Sequence, residues 1–144
     1  VILVDTNVIS EAMRRTPDPN VLSWLDEQLA ETLYVSAVSL SELLLGIALL
    51  PNGARKSQLD RAFREQEGAL FGSRILPFGE REARAYATVV SNARLGGCAI
   101  SVADGQIAAT AAAGRLAIAT RDRAPFEAAG LRVVDPWAYE RSVH

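Results

Sequence analysis

The sequence predicts an α/β fold: an α/β/α sandwich around a central, mostly parallel sheet. Two observations carry this. Val1 to Val4, four apolar residues of which three are β-branched, run straight into Asp5, as in a strand buried on both faces. Short apolar runs then alternate with helical stretches along the rest of the chain, the pattern of β-α-β units whose crossovers make neighbouring strands parallel. The 144 residues suffice for one domain with a sizeable core, spanning 1–144, and are too few for two.

Each element follows from its residues. After the first strand, Val8, Ile9, Ala12 and Met13 recur at helical spacing. In the turn from Thr16 to Pro19, Asp18 is placed to cap and Pro19 to open a helix with Val21, Leu22, Leu25 and Leu29 as its stripe. Thr32 to Ser36 reads as a second strand. Ser39 begins an apolar helix with Leu40, Leu43, Leu44 and Ile47 inward, and Pro51 to Gly53 ends it. A more polar helix runs from about Ala54 to Leu70, with Leu59, Phe63 and Leu70 inward. Arg74 to Phe78, with Pro77 inside it, reads as a brief edge strand. Glu80 to Leu95 is helical, with Ala83, Tyr86, Ala87 and Val90 inward and a stop at Gly96 and Gly97. Ser101 starts a helix that runs through Ala113 and closes on Gly114 in a left-handed cap. Leu116 to Thr120 and Leu131 to Val134 are the last strands.

Composition narrows the chemistry. No apolar run approaches the ~20 residues that span a membrane, and Val1 to Val4 lack the pattern of a signal peptide. The single Cys98 allows no internal disulfide, which fits a cytoplasmic protein. A formal charge of −2 does not by itself mark a nucleic-acid binder. Fourteen of the fifteen basic residues are Arg, so chemistry that needs a lysine has only Lys56. The sole histidine is His144, which argues against histidine acid–base work and a Ser-His-Asp triad. Carboxylates remain.

Four of them fall at element boundaries. Asp5 ends the first strand, Glu42 and Asp104 lie in the first turns of helices, and Asp122 follows the LAIAT strand. In a parallel sheet, strand exits and helix entries share one rim, where such folds bind ligands. Oxygen donors of this kind suit Mg²⁺ or Mn²⁺, and the lack of nearby His or Cys disfavours zinc. Each acid also has a structural explanation. Ser39 to Glu42 and Ser101 to Asp104 fit capping boxes, and Asp122 suits a turn or N-cap. Together they are harder to explain that way, because four like charges on one rim repel unless a cation joins them.

Competing uses of the rim fail on particular residues. A haloacid-dehalogenase-like phosphatase needs an Asp two positions beyond the nucleophile, where Asn7 stands, and a receiver domain needs a late lysine. Neither phosphate-binding glycine motif is present. A small-molecule phosphohydrolase on the same rim is not excluded by charge.

The segments VDTNVIS at Val4 to Ser10, SELLLGIALL from Ser41, ADGQIAATA from Ala103, ATRD at Ala119 to Asp122 and VVDPW at Val133 to Trp137 resemble, in order and spacing, PIN-domain ribonucleases. Within that family they are most similar to VapC toxins of the FitB-like branch. The resemblance implies a Mg²⁺- or Mn²⁺-dependent endoribonuclease, cytoplasmic and bacterial, acting as the toxin of a toxin–antitoxin pair. It assigns Asp5, Glu42, Asp104 and Asp122 as catalytic, metal-holding residues. Thr6 and Asn7 would shape the first turn, with Thr120 beside the site. Arg121 flanks Asp122 and is a candidate phosphate contact, as are Arg14 and Arg15, while Trp24, Tyr86 and Trp137 are candidates to stack on bases. The resemblance also implies a homodimer and a small VapB- or FitA-like antitoxin that inhibits the toxin and confers DNA binding. The alternative is an antitoxin-partnered regulatory module in which cleavage is incidental. Leu44, Leu45, Leu49 and Leu50 give their helix more apolar surface than one face buries, which points to a partner or dimer contact.

Overall fold

The structure, a computed structural model, describes residues 1–140, except for the side chain of Leu70. His144 lies outside the described residues. Strands β1 (Ile2–Val4), β2 (Leu33–Ser36), β3 (Ile75–Leu76), β4 (Ala117–Ala119) and β5 (Val133–Val134) form one sheet in the order β3-β2-β1-β4-β5. Every pairing is parallel. Around it lie α1 (Thr6–Ala12), α2 (Pro19–Glu27), α3 (Ala37–Ala48), α4 (Ala54–Gln66), α5 (Glu80–Leu95), α6 (Val102–Gly114) and α7 (Arg123–Ala128).

The alternation of β1 explains the sandwich. Val4 points into a core with Val8, Trp24, Leu33, Leu43 and Phe63, and Leu3 into a second core with Val90, Ile107, Ile118 and Phe126. Both residues are fully buried, so β1 needs apolar side chains on both faces and reads as an unbroken apolar run. Helices α1 to α4 pack on the first side and α5 to α7 on the second. From β1 the chain moves outward to β2 and β3, then returns to place β4 on the other side of β1. The crevice between β1 and β4 is therefore the switch point of the sheet, the place where such folds open a ligand site.

Several expectations need correction. Helix α3 starts at Ala37, because the Ser36 hydroxyl accepts the Ser39 N–H at 2.9 Å and so caps it three residues early. Glu42 therefore sits in the second turn, outside any capping box. Helix α2 ends at Glu27, so Leu29 lies beyond it, exposed along with Leu22, while Trp24 completes the buried stripe. On α5 Val90 is buried as expected, but the small Ala83 and Ala87 are exposed, and Glu82, Val89 and Ala93 are buried in their place. Larger side chains gain more from burial and set the rotation of the helix. Arg115, not Gly114, takes the left-handed conformation after α6 (φ 55°). Gly114 is held against Leu116, and a side chain there would stand 3.3 Å from it. Leu44 is half exposed, as befits the excess apolar surface of α3. Helix α4 passes into a π-helical turn at Glu67–Phe71 that buries Phe71.

Candidate active site

Asp5 leaves β1 and caps α1. Its Oδ1 accepts the Thr6 N–H at 2.8 Å and its Oδ2 accepts the Thr120 hydroxyl at 2.8 Å. The Asp5 N–H in turn donates to the Ala119 carbonyl at 2.9 Å, extending the β1–β4 pairing to the rim. Only 5% of Asp5 is exposed. Thr120, fully buried, is the hub: the hydroxyl that donates to Asp5 also accepts the Asn7 amide at 3.2 Å and the Asp122 N–H at 3.1 Å. The turn after β1 is thus bonded to the turn after β4 through the side chains of Asp5, Asn7 and Thr120.

The other acids come from three helices, α3, α6 and α7. Glu42 accepts the Thr6 hydroxyl at 2.8 Å, so α3 presents it toward α1 and not toward its own cap. Asp104 lies in the first turn of α6, where the Ser101 hydroxyl accepts its N–H at 3.1 Å. Asp122 occupies the capping position of α7, yet its side chain makes no capping bond and is exposed. The structural explanation therefore fails for Glu42 and Asp122 and holds in part for Asp104.

Electrostatics ties the acids together. Burial pushes the Asp5 carboxyl up from 3.8 to about 6, opposed by the Thr120 and Thr6 hydrogen bonds and reinforced by the charges of Asp104 and Glu42. Asp104 is also raised, first by burial and then by Asp122 and Glu42, against a hydrogen bond from Ser101. Among the described residues, however, no three Asp, Glu, His or Cys side chains stand close enough together to hold a metal ion. The quartet shares a field without converging on a point, and its like charges repel.

A cleft of about 500 Å³ opens over the site, lined by Asp5, Thr6, Asn7, Glu42 and Asp104 together with Ser10, Glu11, Arg14, Arg121 and Trp137. Asp122 is not in its wall. The cleft runs into a larger groove of about 1060 Å³ between α1, α3 and α4; the two share Thr6, Ser10, Arg14 and Glu42, and Leu43, Ile47, Leu50 and Leu59 line the groove further on. Arg15 and Arg55 border that groove, and Arg123 is paired with Glu127 at 2.9 Å. Trp24 is core, and Tyr86, half-buried beside Gly105 on the α5–α6 side, lines neither the cleft nor the groove.

The sequence matches the PIN domain family over residues 2–131. The chain belongs to the PIN-domain family. It is 47% identical over 137 residues to Toxin FitB of Neisseria gonorrhoeae, covering 95% of this chain and 99% of that protein. It is 44% identical over 137 residues to VapC ribonuclease Y4jK of Sinorhizobium fredii, covering 95% and 98% respectively. Among solved structures, FitAB bound to an IR36 DNA fragment superposes with a TM-score of 0.90 at 45% identity, over 98% of this chain and 99% of that one.

One residue of this PIN-domain cleft escaped the sequence reading. Glu11 is 6% exposed, pairs with Arg14 at 3.2 Å and accepts the Trp137 indole N–H at 3.4 Å. Its signal was available: Glu11 lies four residues after Asn7, hence on the same side of α1, in a helix otherwise patterned for the core.

Proposed function

We propose that this PIN domain is the ribonuclease toxin of a toxin–antitoxin pair, a Mg²⁺- or Mn²⁺-dependent endoribonuclease. The observation that carries the reading is the buried Asp5 carboxylate, held on both oxygens in the β1–β4 crevice and lining one open cleft with Glu42 and Asp104. The names of the related proteins, a ribonuclease and a toxin, support it. Both cores share one sheet, which supports reading 1–144 as one PIN domain. Among the described residues no helix is long and apolar enough to cross a membrane, and we assign the activity to the bacterial cytoplasm.

Asp5, Glu42, Asp104 and Asp122 would hold the divalent cation. Their donor set is all oxygen, as these hard ions prefer, and the raised carboxyls of Asp5 and Asp104 are those a cation would relieve. When bound, the metal supplies positive charge for the phosphodiester and its attacking water. The chain's own residues orient the acids. Thr120 and the Thr6 N–H fix both Asp5 oxygens, the Thr6 hydroxyl holds Glu42, and Asn7 locks Thr120. No protein nucleophile is called for.

The partner fits the same surface. A small antitoxin of the VapB or FitA kind would lay an apolar segment in the groove between α1, α3 and α4 and reach the acids where groove and cleft join. The relative solved as FitAB on DNA supports assigning DNA contact to the complex, since the net charge of −2 leaves that task to the antitoxin. No specific observation favours a purely regulatory role over cleavage. The test is incubation of antitoxin-free protein with a mixed RNA pool, the matching DNA and a simple phosphomonoester. We expect cleavage of RNA alone, with Mg²⁺ or Mn²⁺ and not with chelator. Phosphomonoester turnover without RNA cleavage would overturn the reading.

A further inference from the structure

The cleft wall contains two cations, Arg14 and Arg121. Arg14 is committed, with its guanidinium 3.2 Å from both oxygens of Glu11. Arg121 makes no ion pair among the described residues; its guanidinium carbon instead lies 5.2 Å from the centre of the Trp137 ring. An aromatic face attracts a guanidinium and orients its plane without neutralising it. Trp137 is itself fixed at four points. Its indole N–H reaches Glu11 at 3.4 Å, its backbone N–H donates to Asp135 Oδ1 at 3.0 Å, its carbonyl accepts the Asn20 amide at 2.9 Å, and its ring packs against the core below β1. The two backbone bonds fix the turn that carries Trp137, and the indole bond and core packing fix its ring, so the face under Arg121 is held in place.

We infer that Trp137 is a positioning residue that holds Arg121 at the cleft mouth as the guanidinium contact for a phosphate of bound RNA. This deepens the ribonuclease reading and rests on it. The arrangement also assigns Glu11 a part. By binding Arg14 and the indole N–H together, Glu11 leaves Arg121 the uncommitted positive group beside an otherwise acidic site. It further argues that Trp137 is not a base-stacking platform, because a guanidinium already lies over its ring. A bidentate guanidinium placed one residue from Asp122 gives the chain a way to hold phosphate where its acids repel it.

The test uses full-length protein and a cleavable RNA, with KM, kcat and the salt dependence of binding as readouts. Arg121→Ala should raise KM on the order of tenfold, more than it lowers kcat, and should flatten the log–log salt slope by about 0.7, one phosphate contact on a single strand. Arg121→Lys should restore only part of the loss, since it keeps the charge without the plane. Trp137→Leu should reproduce the Arg121→Ala pattern, and the double variant should be no worse than Arg121→Ala alone. Trp137→Phe, which keeps an aromatic face and fills more of the site, should lie between wild type and Trp137→Leu; it carries the test if the leucine variant fails to fold. Additive losses in the double variant would make Trp137 a direct base contact and overturn the positioning role. An unchanged salt slope in Arg121→Ala would overturn the phosphate contact. Neither result touches the ribonuclease reading, which fails separately if wild-type protein cuts no RNA.

Discussion

Asp5 is the most strained residue of the site electrostatically, and its environment sets two predictions. The carboxyl is raised to about 6, so it must lose a proton before it can hold a cation. Mn²⁺ affinity, measured by calorimetry, is expected to fall about tenfold per pH unit below pH 6. The Thr120 hydroxyl opposes that rise, so Thr120→Val should move the fall to higher pH; an unmoved limb would remove Thr120 from the site. Stability runs the other way. A folded-state carboxyl above its unfolded value of 3.8 takes up a proton on folding, so its contribution is greatest below 3.8 and is lost as pH rises through the window up to about 6. Asp5→Asn removes the buried charge but leaves one acceptor oxygen for two donors, the Thr6 N–H and the Thr120 hydroxyl. The metal-free variant should therefore lose the fall in stability between pH 3.8 and about 6 while giving up one of those hydrogen bonds at every pH. Added Mg²⁺ should raise the melting temperature of wild type and leave the variant unmoved. A variant whose stability still falls across that pH window would show that another group carries the titration.

At the scale of elements, the site depends on how closely α6 approaches α5. A side chain at Gly105 would stand 2.8 Å from Tyr86 Cε2 and 2.9 Å from Val90 Cγ2, so the two helices touch through this glycine, next to Asp104. Gly105→Ala gains helix propensity of about 1 kcal/mol but forces the helices apart at a cost of about 1–3 kcal/mol. The expected outcome is a lower melting temperature together with reduced cleavage as Asp104 shifts; a variant at least as stable and fully active would contradict that packing. Nothing local in ADGQ announces this contact, because it is made between residues 19 apart in sequence. Strand one and its Asp were legible, since burial on both faces leaves a strong apolar signature. The start of α3 was misplaced because Ser36 and Ser39 are both good caps, and the strand ending at Ser36 decides between them. Glu11 went unnoticed because its partners, Arg14 and Trp137, are joined to it only by the fold.

On the scale of the whole molecule, Asp5, Glu42 and Asp104 line one cleft because the chain reverses its winding at β1; strands alternating with helices announced parallel pairing, not this order. The assembly is less visible in one chain. Leu45 on α3 and Leu49 just after it are 58% and 75% exposed, more apolar surface than a lone helix face usually shows to water. We expect light scattering to give twice the chain mass of 15.5 kDa, and Leu45→Glu with Leu49→Glu to return it to one chain mass with the melting curve of the fold retained. A wild-type monomer would assign that face to the antitoxin.

The central claim is that the acid rim at the β1–β4 crevice is a metal-dependent centre for cutting RNA. Single-turnover cleavage of one defined RNA by wild type and by Asp5→Asn, each in Mg²⁺ and in chelator, tests it most directly. Cutting by wild type in Mg²⁺ alone, with the folded variant reduced at least about a hundredfold, is the predicted result. Equal cutting by Asp5→Asn, or cutting that persists in chelator, would contradict it.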